Sequence, residues 1–371
     1  MSNRLIYADH AATTPLSKMA FESMLPFLRE EFGNPSSLHG WSKVPRKAVE
    51  DARATIASCI GAEPDEIYFT SGGTEADNWV IKGSEGGLMV SSYEHHAVLN
   101  AAVSELERGR QVCYCKPKME GNVWPDTIAE NWQDGIKLVS VMAANNEIGS
   151  RNVLGHIAQH VHSKGALFHT DAVQAVGHVK IDVKKDSVDF LSASAHKFNG
   201  PRGVGFLYMR KGLSLKSLMS GGQQEFGLRA GTENVAAIVG MATALKENCN
   251  NLEANTEHLD SLREQLMMGI ADMSDDVHFP GSKFNLQLPG FVCASFSGRS
   301  AEAIVHILDL RGIAISAGAA CDSKNTQISH VLKAIHLPRK YAEGTVRISL
   351  GIENTEEDVV AILNALKVAL K

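Results

Sequence analysis

Two side chains of complementary chemistry, Asp171 and Lys197, each lie where a short apolar segment typical of a buried strand ends. Lys197 comes after DFLSAS and before Gly-Pro-Arg-Gly, a setting that a solvated surface charge explains poorly. A lysine in a partly desolvated site can present a free amine to an aldehyde. Pyridoxal phosphate requires a carboxylate for its pyridinium nitrogen and a lysine for its aldehyde, because its ring acts as an electron sink. The two residues therefore predict a site for this cofactor.

A glycine-rich segment, SGGTEADN (residues 71–78), follows another apolar strand and opens a helical pattern. Its two glycines let the backbone approach a ligand closely. The N-terminus of the helix offers N–H groups and a positive dipole end that suit a phosphate, and Thr74 adds a hydroxyl. An ordinary helix cap has the same composition, so this segment alone leaves both interpretations open.

The elements that must position these residues alternate between apolar runs of strand length and helical patterns. The predicted strands cover residues 67–69, 87–92, 137–142, 166–170, 188–194 and 203–209. Such alternation predicts an α/β fold in which a largely parallel sheet is covered by helices on both faces. Ligands of these sheets bind beyond the carboxyl ends of the strands, which is where Asp171 and Lys197 lie.

A second region follows, with a helix from about residue 256, the strands VCASFS and IAIS, and two further helices. It predicts a smaller α+β domain. We expect a large domain over residues 15–255 and a small domain formed by residues 1–14 and 256–371. The polar segment NCNNLEAN (residues 248–255) is a candidate hinge between them.

Composition excludes several classes of protein. The 371 residues are 44% hydrophobic and 21% charged, which is ordinary for a globular chain and unlike a disordered or fibrous one. A net charge of −6 without a basic cluster argues against direct binding of nucleic acid. No run of about 18 apolar residues predicts a membrane span. The N-terminal residues lack the apolar core of a signal peptide, so we expect a cytoplasmic location.

Cysteine spacing indicates free thiols and no metal site. The six cysteines are Cys59, Cys113, Cys115, Cys249, Cys293 and Cys321. In a reducing compartment they stay thiols, and the histidines and cysteines show no ligand spacing for a metal. Cys321 stands apart because SAGAACDSKNTQ reads as an exposed loop of small and polar residues. A thiol with a pKa near 8.5 needs only a modest shift there to become a useful thiolate.

An ordered series of motifs resembles one known family, the NifS/IscS-like cysteine desulfurases of the class V aminotransferase family. These are fold-type I pyridoxal-phosphate enzymes, with a large domain and a smaller α+β domain that carries the catalytic cysteine loop. The resemblance extends nearly end to end. It rests on YADHAATTP, FGNPSSLHG, FTSGGTEADN, EHHAVL, NNEIG, HTDAVQ, SAHKFNGPRGVGFLY, GGQQEFGLRAGTEN, AISAGAACDS, SHVL and VRISLG.

The resemblance implies a site at named positions of this chain. The implied contacts of pyridoxal 5'-phosphate are Gly73, Thr74, His95, Asn146, Asp171, Gln174, Ser194, His196, Lys197 and Thr232. The implied catalytic residues are Lys197, Cys321 and His95, and the implied substrate-binding residues are Arg347 and Asn146.

Individual roles follow from the same resemblance. It implies that Lys197 binds the aldehyde, that Asp171 pairs with the pyridinium nitrogen, and that Gln174 hydrogen-bonds the ring oxygen, near Asn146. His95 is implied to stack on the ring and to move protons.

The phosphate of the cofactor has its own implied contacts. Gly73, Thr74, Ser194 and His196 are implied to hold it. Thr232, in RAGT, is implied to reach the phosphate of a neighbouring subunit's cofactor, which predicts a homodimer. The neighbouring Arg229 could form an ion pair or assist the phosphate, and both readings stay open.

The implied activity is removal of sulfur from L-cysteine, giving L-alanine and a persulfide on Cys321. Arg347 is implied to clamp the substrate carboxylate, a task suited to the two parallel hydrogen bonds of a guanidinium. The implied partners are a second copy of the chain and a sulfur acceptor, such as an iron–sulfur scaffold protein or a thiolation enzyme. A selenocysteine lyase and a weakly active sulfur-delivery partner remain alternatives.

Two departures from the usual family pattern stand out. Around Cys321 the chain has SAGAAC followed by Asp-Ser, where SSGSAC followed by Thr-Ser is usual, and His10 replaces a more common Asn or Tyr. Neither removes a catalytic group, so they bear on thiol reactivity and on the choice of sulfur acceptor.

Overall fold

The computed structural model describes residues 5–273, 276–281, 286–318 and 328–371. Its strands are β1 (Ile6–Tyr7), β2 (Ile67–Thr70), β3 (Gly87–Ser91), β4 (Val112–Cys115), β5 (Ile136–Ser140), β6 (Leu167–Asp171), β7 (Phe190–Ser194), β8 (Gly205–Met209), β9 (Val277–His278), β10 (Phe291–Phe296), β11 (Ile313–Ala314), β12 (Ser316–Ala317) and β13 (Thr345–Ser349). Its α-helices are α1 (Lys18–Arg29), α2 (Lys43–Ile60), α3 (Gly73–Gly83), α4 (His96–Glu107), α5 (Pro125–Glu130), α6 (Leu154–Ser163), α7 (Val235–Asn250), α8 (Leu252–Ala271), α9 (Ala301–Asp309), α10 (His330–Ala334), α11 (Arg339–Ala342) and α12 (Glu356–Ala369).

A seven-stranded sheet in the order β2-β8-β7-β6-β5-β3-β4 forms the centre of the larger part. β8 runs antiparallel to both of its neighbours, and the other six strands share one direction. Side chains alternate between the faces, as in any strand: Met89 packs into one core cluster, whereas Leu88 and Val90 pack into another with α3 and α4. Helices therefore cover both faces, and the predicted α/β class is confirmed.

A smaller antiparallel sheet, β12-β13-β10-β9, has a core of its own with α8, α9 and α12. Ile6 and Ala8 belong to this core, and β1 pairs in parallel with β11. The start of the chain thus packs with its C-terminal part. Val331 of α10, in contrast, packs into the core of the larger sheet, and the proposed division at residues 15 and 255 stays a prediction.

The candidate hinge, residues 248–255, is almost entirely helical. α7 ends at Asn250 and α8 begins at Leu252, so one residue separates them. That residue, Asn251, hydrogen-bonds the carbonyl of Glu247 through its backbone N–H at 3.2 Å and through Nδ2 at 2.9 Å. The asparagines here therefore satisfy the end of a helix, a role that favours short polar side chains as much as a linker does.

Among the residues that the structure describes, no helix combines the length and the apolar character that crossing a bilayer demands.

Candidate active site

Lys197 and Gln174 converge on one backbone carbonyl. Residues 195–197 form a single 3₁₀ turn directly after β7, and Nζ of Lys197 donates to the carbonyls of Ala11 at 2.7 Å and Ala12 at 2.9 Å. Nε2 of Gln174 donates to the same Ala11 carbonyl at 2.9 Å. The segment after β1 thereby joins two residues that lie at the ends of neighbouring strands.

Asp171 is the last residue of β6 and is buried. Its Oδ1 accepts a hydrogen bond of 2.9 Å from the backbone N–H of Val173. Burial raises the pKa of this carboxyl, while electrostatic interactions with His95 and Lys197 oppose the rise. Asp171, His95 and Lys197 therefore interact at one edge of the sheet.

His95 precedes α4 and caps it. Its Nδ1 accepts the N–H of Ala97 at 3.1 Å, which leaves the proton of the neutral ring on Nε2. Burial lowers the pKa of His95, and Asp171 opposes that shift. In this tautomer the ring donates a hydrogen bond from Nε2, and it can give up a proton there only after Nδ1 has been protonated.

The N-terminus of α3 forms a close-fitting cradle. A Cβ at Gly73 would lie 2.4 Å from Cγ2 of Val173, and a Cβ at Gly72 would lie 3.4 Å from Oγ of Ser194. The absence of these atoms lets the first turn of α3 pack against Val173 beside the Ser194 hydroxyl. The N–H groups of a first helical turn have no acceptor within the helix, and Thr74 is exposed at this turn. The cradle suits an anion such as a phosphate.

His196 lies next to Lys197 and points toward the N-terminal segment. Its Nδ1 is 3.1 Å from Oγ1 of Thr13, and its carbonyl accepts the N–H of Thr14 at 2.9 Å. Burial, followed by the charges of Lys197 and Arg202, lowers the pKa of His196 to about 4. It is therefore a neutral hydrogen-bonding group at pH 7.

Arg347 is buried in β13 with two of its three nitrogens engaged. Nη1 donates to the carbonyl of Asn146 at 2.8 Å, and Nη2 pairs with Oδ1 of Asp9 at 2.7 Å. Nε is buried and has no hydrogen-bond acceptor among the described residues. The structure thus brings the two predicted substrate-binding residues into direct contact and leaves one guanidinium N–H to be satisfied.

Thr232 is exposed and lines a surface groove that also contains Ser71, at the start of the glycine-rich segment. Its neighbour Arg229 forms two hydrogen bonds with Glu75, at 2.9 and 3.1 Å, so the ion-pair reading of Arg229 holds. The predicted nucleophile, Cys321, lies outside the described residues.

A buried carboxyl, Glu94, was not singled out by the sequence. It has no exposed surface, and its Oε1 accepts hydrogen bonds from the backbone N–H of Met142 at 2.7 Å and from the Ser91 hydroxyl. Burial raises the pKa of Glu94 to about 8. The only signal in the sequence was its place in EHHAVL, directly before His95.

A second buried polar group lies around His169, two residues before Asp171 on β6. Its Nδ1 is 2.8 Å from the Ser140 hydroxyl and its Nε2 is 3.0 Å from that of Ser192, with Oδ1 of Asp77 at 3.7 Å. Burial lowers the pKa of His169 to about 3 and raises that of Asp77, which the charge of Asp171 raises further. His169 is therefore neutral at pH 7, and burial favours the protonated form of Asp77.

Comparison with known proteins identifies the family. The profile of the family described as Aminotransferase class-V matches residues 6–362. The chain belongs to this family. Its relatives within it include the cysteine desulfurase IscS of Dictyoglomus turgidum, 43% identical over 98% of this chain and 94% of that protein, and the cysteine desulfurase IscS of Clostridium botulinum, 44% identical over 100% and 95%.

Solved structures of the family lead to the same branch. A NifS-like protein superposes with a TM-score of 0.91 at 34% identity, with 99% of both chains covered. A NifS-like protein from Rickettsia africae gives a TM-score of 0.90 at 29% identity, again with 99% of both chains covered. The predicted resemblance to NifS/IscS-like cysteine desulfurases and the fold-type I architecture are confirmed.

Proposed function

We propose that this protein is a cysteine desulfurase that uses pyridoxal 5'-phosphate to convert L-cysteine to L-alanine. The observation that carries the proposal is the placement of Asp171 at the end of β6 and of Lys197 just after the neighbouring β7, with Lys197 and Gln174 on the same Ala11 carbonyl. Two full-length relatives named cysteine desulfurase support it. A further support is a solved protein of the same fold, SspA in complex with cysteine, which is 32% identical over 94% of this chain, with a TM-score of 0.82.

The residues present fit the proposed cofactor. The first turn of α3 packs closely on Val173 at Gly73 and lies beside the Ser194 hydroxyl, so its N–H groups and the exposed Thr74 suit an anion there. Asp171 offers a buried carboxylate, which a pyridinium N–H would satisfy. Lys197 Nζ is held by two carbonyls, uncharged acceptors that a lysine can leave to bind an aldehyde. When bound, the cofactor would supply an electron sink for the substrate.

The side chains of this protein have distinct proposed tasks around that group. Asp171 keeps a proton at the pyridinium nitrogen, since its carboxylate gains from a positive partner. Lys197 Nζ is placed to carry protons to and from the substrate, and His95 assists once its ring is protonated, because Nε2–H can then donate. Arg347 orients the substrate carboxylate through its unpaired Nε and its neighbouring nitrogens.

Cys321 is the proposed sulfur acceptor. Its thiolate attacks the sulfur of the substrate, so that an S–S bond forms and the C–S bond breaks. The electron pair of the broken bond stays with the carbon chain, which takes up a proton and leaves as alanine. The persulfide then passes to a thiol of an acceptor protein, for which we propose an iron–sulfur scaffold or a thiolation enzyme.

We also propose a homodimer, supported by an exposed apolar surface around α1. Phe21, Leu25 and Leu28 recur on one face of this helix and are 45–61% exposed, and Phe32 and Trp41 beyond it are 70% and 64% exposed. Monomeric proteins seldom expose so continuous an apolar patch. A second copy of the chain would cover it and could bring Thr232 to the cofactor of its partner.

The experiment that tests the function is alanine formation from L-cysteine by the purified protein with a thiol reductant. We expect multiple turnovers with one sulfide released per alanine. Faster turnover of selenocysteine would favour the lyase alternative. No alanine from a protein that carries its cofactor would instead favour a sulfur-delivery partner and overturn the proposal.

A further inference from the structure

Two cysteines outside the proposed reaction, Cys59 and Cys249, lie side by side on packed helices. Cys59 is in the last turn of α2 and Cys249 is in the last turn of α7. Both are partly exposed, and both line one surface groove together with Ser58 and Asn250. The helices that carry them pack against each other, and the two side chains are near enough to shift each other's pKa.

The environment makes the two thiols unequal. The hydrogen bond from Cys59 lowers the pKa of Cys249, because it stabilises the thiolate, and the same contact raises the pKa of Cys59. Lys246, three residues before Cys249, adds a positive charge that partly offsets the rise in the pKa of Cys59. Thiolates are the form of cysteine that peroxides oxidise, and a second thiol in contact can then close a disulfide.

We propose that Cys59 and Cys249 form an oxidation site for hydroperoxides, in which Cys249 is attacked first and Cys59 closes a disulfide between α2 and α7. In the first step the Cys249 sulfur takes one oxygen from the peroxide, the O–O bond breaks, and an alcohol or water leaves. In the second step the Cys59 sulfur displaces hydroxide from the sulfenic acid, and the thiol proton completes a water molecule. The thiols lose two electrons and the peroxide gains them.

The other described cysteines do not offer this chemistry. Burial raises the pKa values of Cys113, Cys115 and Cys293 and disfavours their thiolates. Cys113 and Cys115 lie two residues apart on β4, about 6.8 Å at the rise of a strand, too far for the Cβ separation of a disulfide. Cys113 and Cys115 therefore serve as an internal control for the oxidation experiment.

The site is also separate from the surface assigned to the homodimer. Val44 borders the apolar surface near the start of α2, whereas Cys59 lies at the other end, about 22 Å along the helix axis. Oxidant can therefore reach the pair in the dimer as well as in the monomer.

The test uses the full chain with its cofactor, in a Cys321→Ser background that removes the other reactive thiol. The reduced protein receives one equivalent of hydrogen peroxide, is blocked with N-ethylmaleimide, and is digested without reduction for mass spectrometry. We expect a Cys59–Cys249 cross-linked peptide as the main product and its loss after dithiothreitol. Cys59→Ser should instead leave a sulfenic acid that dimedone labels on Cys249.

Three outcomes would overturn the inference. One is unmodified Cys59 and Cys249 in protein whose Cys113 is oxidised. Another is dimedone labelling of Cys59 in Cys249→Ser that exceeds the labelling of Cys249 in Cys59→Ser, because the order of attack would then be reversed. The third is an equal yield of the cross-linked peptide in 6 M urea, roughly the concentration that unfolds small proteins, since the folded contact would not be its cause. Cys113→Ser is the control and should leave the cross-link unchanged.

Discussion

Nη2 of Arg347 lies 2.7 Å from Oδ1 of Asp9, and the other carboxylate oxygen of Asp9 accepts the Ser316 hydroxyl at 2.9 Å. Two residues after Asp9, the carbonyl of Ala11 accepts the amine of Lys197. A three-residue stretch therefore holds both the arginine proposed for the substrate carboxylate and the lysine proposed for the cofactor.

Removal of the Asp9 carboxylate should weaken substrate binding more than turnover. Asp9→Ala leaves the buried Arg347 without its charged partner, which should raise KM for cysteine about tenfold and cost about 3 kcal/mol of stability. Asp9→Asn keeps an acceptor oxygen and should show a smaller rise. Steady-state kinetics and urea unfolding measure both effects. If Asp9→Ala lowered kcat tenfold at an unchanged KM, Asp9 would act on the chemical step and not on the arginine.

Substitution of Lys197 should prevent borohydride from attaching the cofactor covalently to the protein. Lys197→Ala cannot bind an aldehyde covalently, so we expect no reduced cofactor on any peptide and a loss of alanine formation of at least a thousandfold. Lys180→Ala, which alters an exposed lysine 17 residues before Lys197, is the control. Peptide mapping that found the wild-type label on Lys180 or Lys324 would contradict the assignment.

Glu94 should make the protein less stable as the pH rises. Its folded pKa of about 8 exceeds the ordinary value of a glutamate, so the folded state keeps a proton that the unfolded chain releases. Stability from this group is full at low pH and decreases as the pH rises from about 4 to about 8. Glu94→Gln retains an oxygen for the N–H of Met142 and has no proton to lose.

The measurement for Glu94 is urea unfolding of both proteins at pH 5 and pH 7.5. Between pH 5 and pH 7.5 the free energy of unfolding of Glu94→Gln should rise relative to that of the wild type by on the order of 3 kcal/mol. A stability difference that is the same at both pH values would show that Glu94 is already ionised in the folded protein.

Replacement of Cys321 should separate the thiol chemistry from cofactor binding. A serine hydroxyl is far less acidic than a thiol and cannot hold a persulfide, so Cys321→Ser should reduce alanine formation by orders of magnitude. Cofactor absorbance should stay normal, because Lys197 does not depend on this residue. Cys59, Cys113, Cys115, Cys249 and Cys293 serve as serine controls that should keep most activity. Near-normal turnover by Cys321→Ser would remove the residue from its proposed role.

A charge on the apolar surface around α1 should dissociate the proposed dimer. Leu28→Glu places a carboxylate where the second copy would pack, so sedimentation velocity at micromolar concentration should show monomers with reduced activity. Leu310→Glu alters a leucine of similar exposure, 69% against 61%, beyond this surface and should remain dimeric. A wild-type protein that is monomeric and fully active would contradict the dimer itself.

The sequence predicted the strands of the central sheet well because short apolar runs and adjoining polar residues are local signals. β6, β7 and their terminal residues Asp171 and Ser194 lie where those runs end. Strand direction is a tertiary property, so nothing local marked β8 as the reversed strand. The start of α8 at Leu252 was also hidden, since asparagines suit a helix cap and a loop equally.

The buried polar residues around the site could not be predicted from the sequence, for a different reason. Burial shifts the pKa values of Glu94, Asp77 and His169 toward their uncharged forms, and burial of a charged residue type is decided by the fold around it. The Ala11 carbonyl has no side chain to signal its contacts. Asp9 and Arg347 are 338 positions apart in the sequence, and they pair because the C-terminal part of the fold packs against the N-terminal segment.

The two anchors on the segment from Asp9 to Ala11 also limit how this gene can change in length. One inserted codon between them would shift either the carboxylate away from the guanidinium or the carbonyl away from the lysine amine, because an extended residue spans about 3.3 Å. A surface turn such as the one at Gly109, where an added side chain would meet nothing within 4 Å, has no such constraint. If a library of random insertions is selected for activity, the tolerated insertions should therefore lie at surface turns such as Gly109. They should be absent from the segment between Asp9 and Ala11.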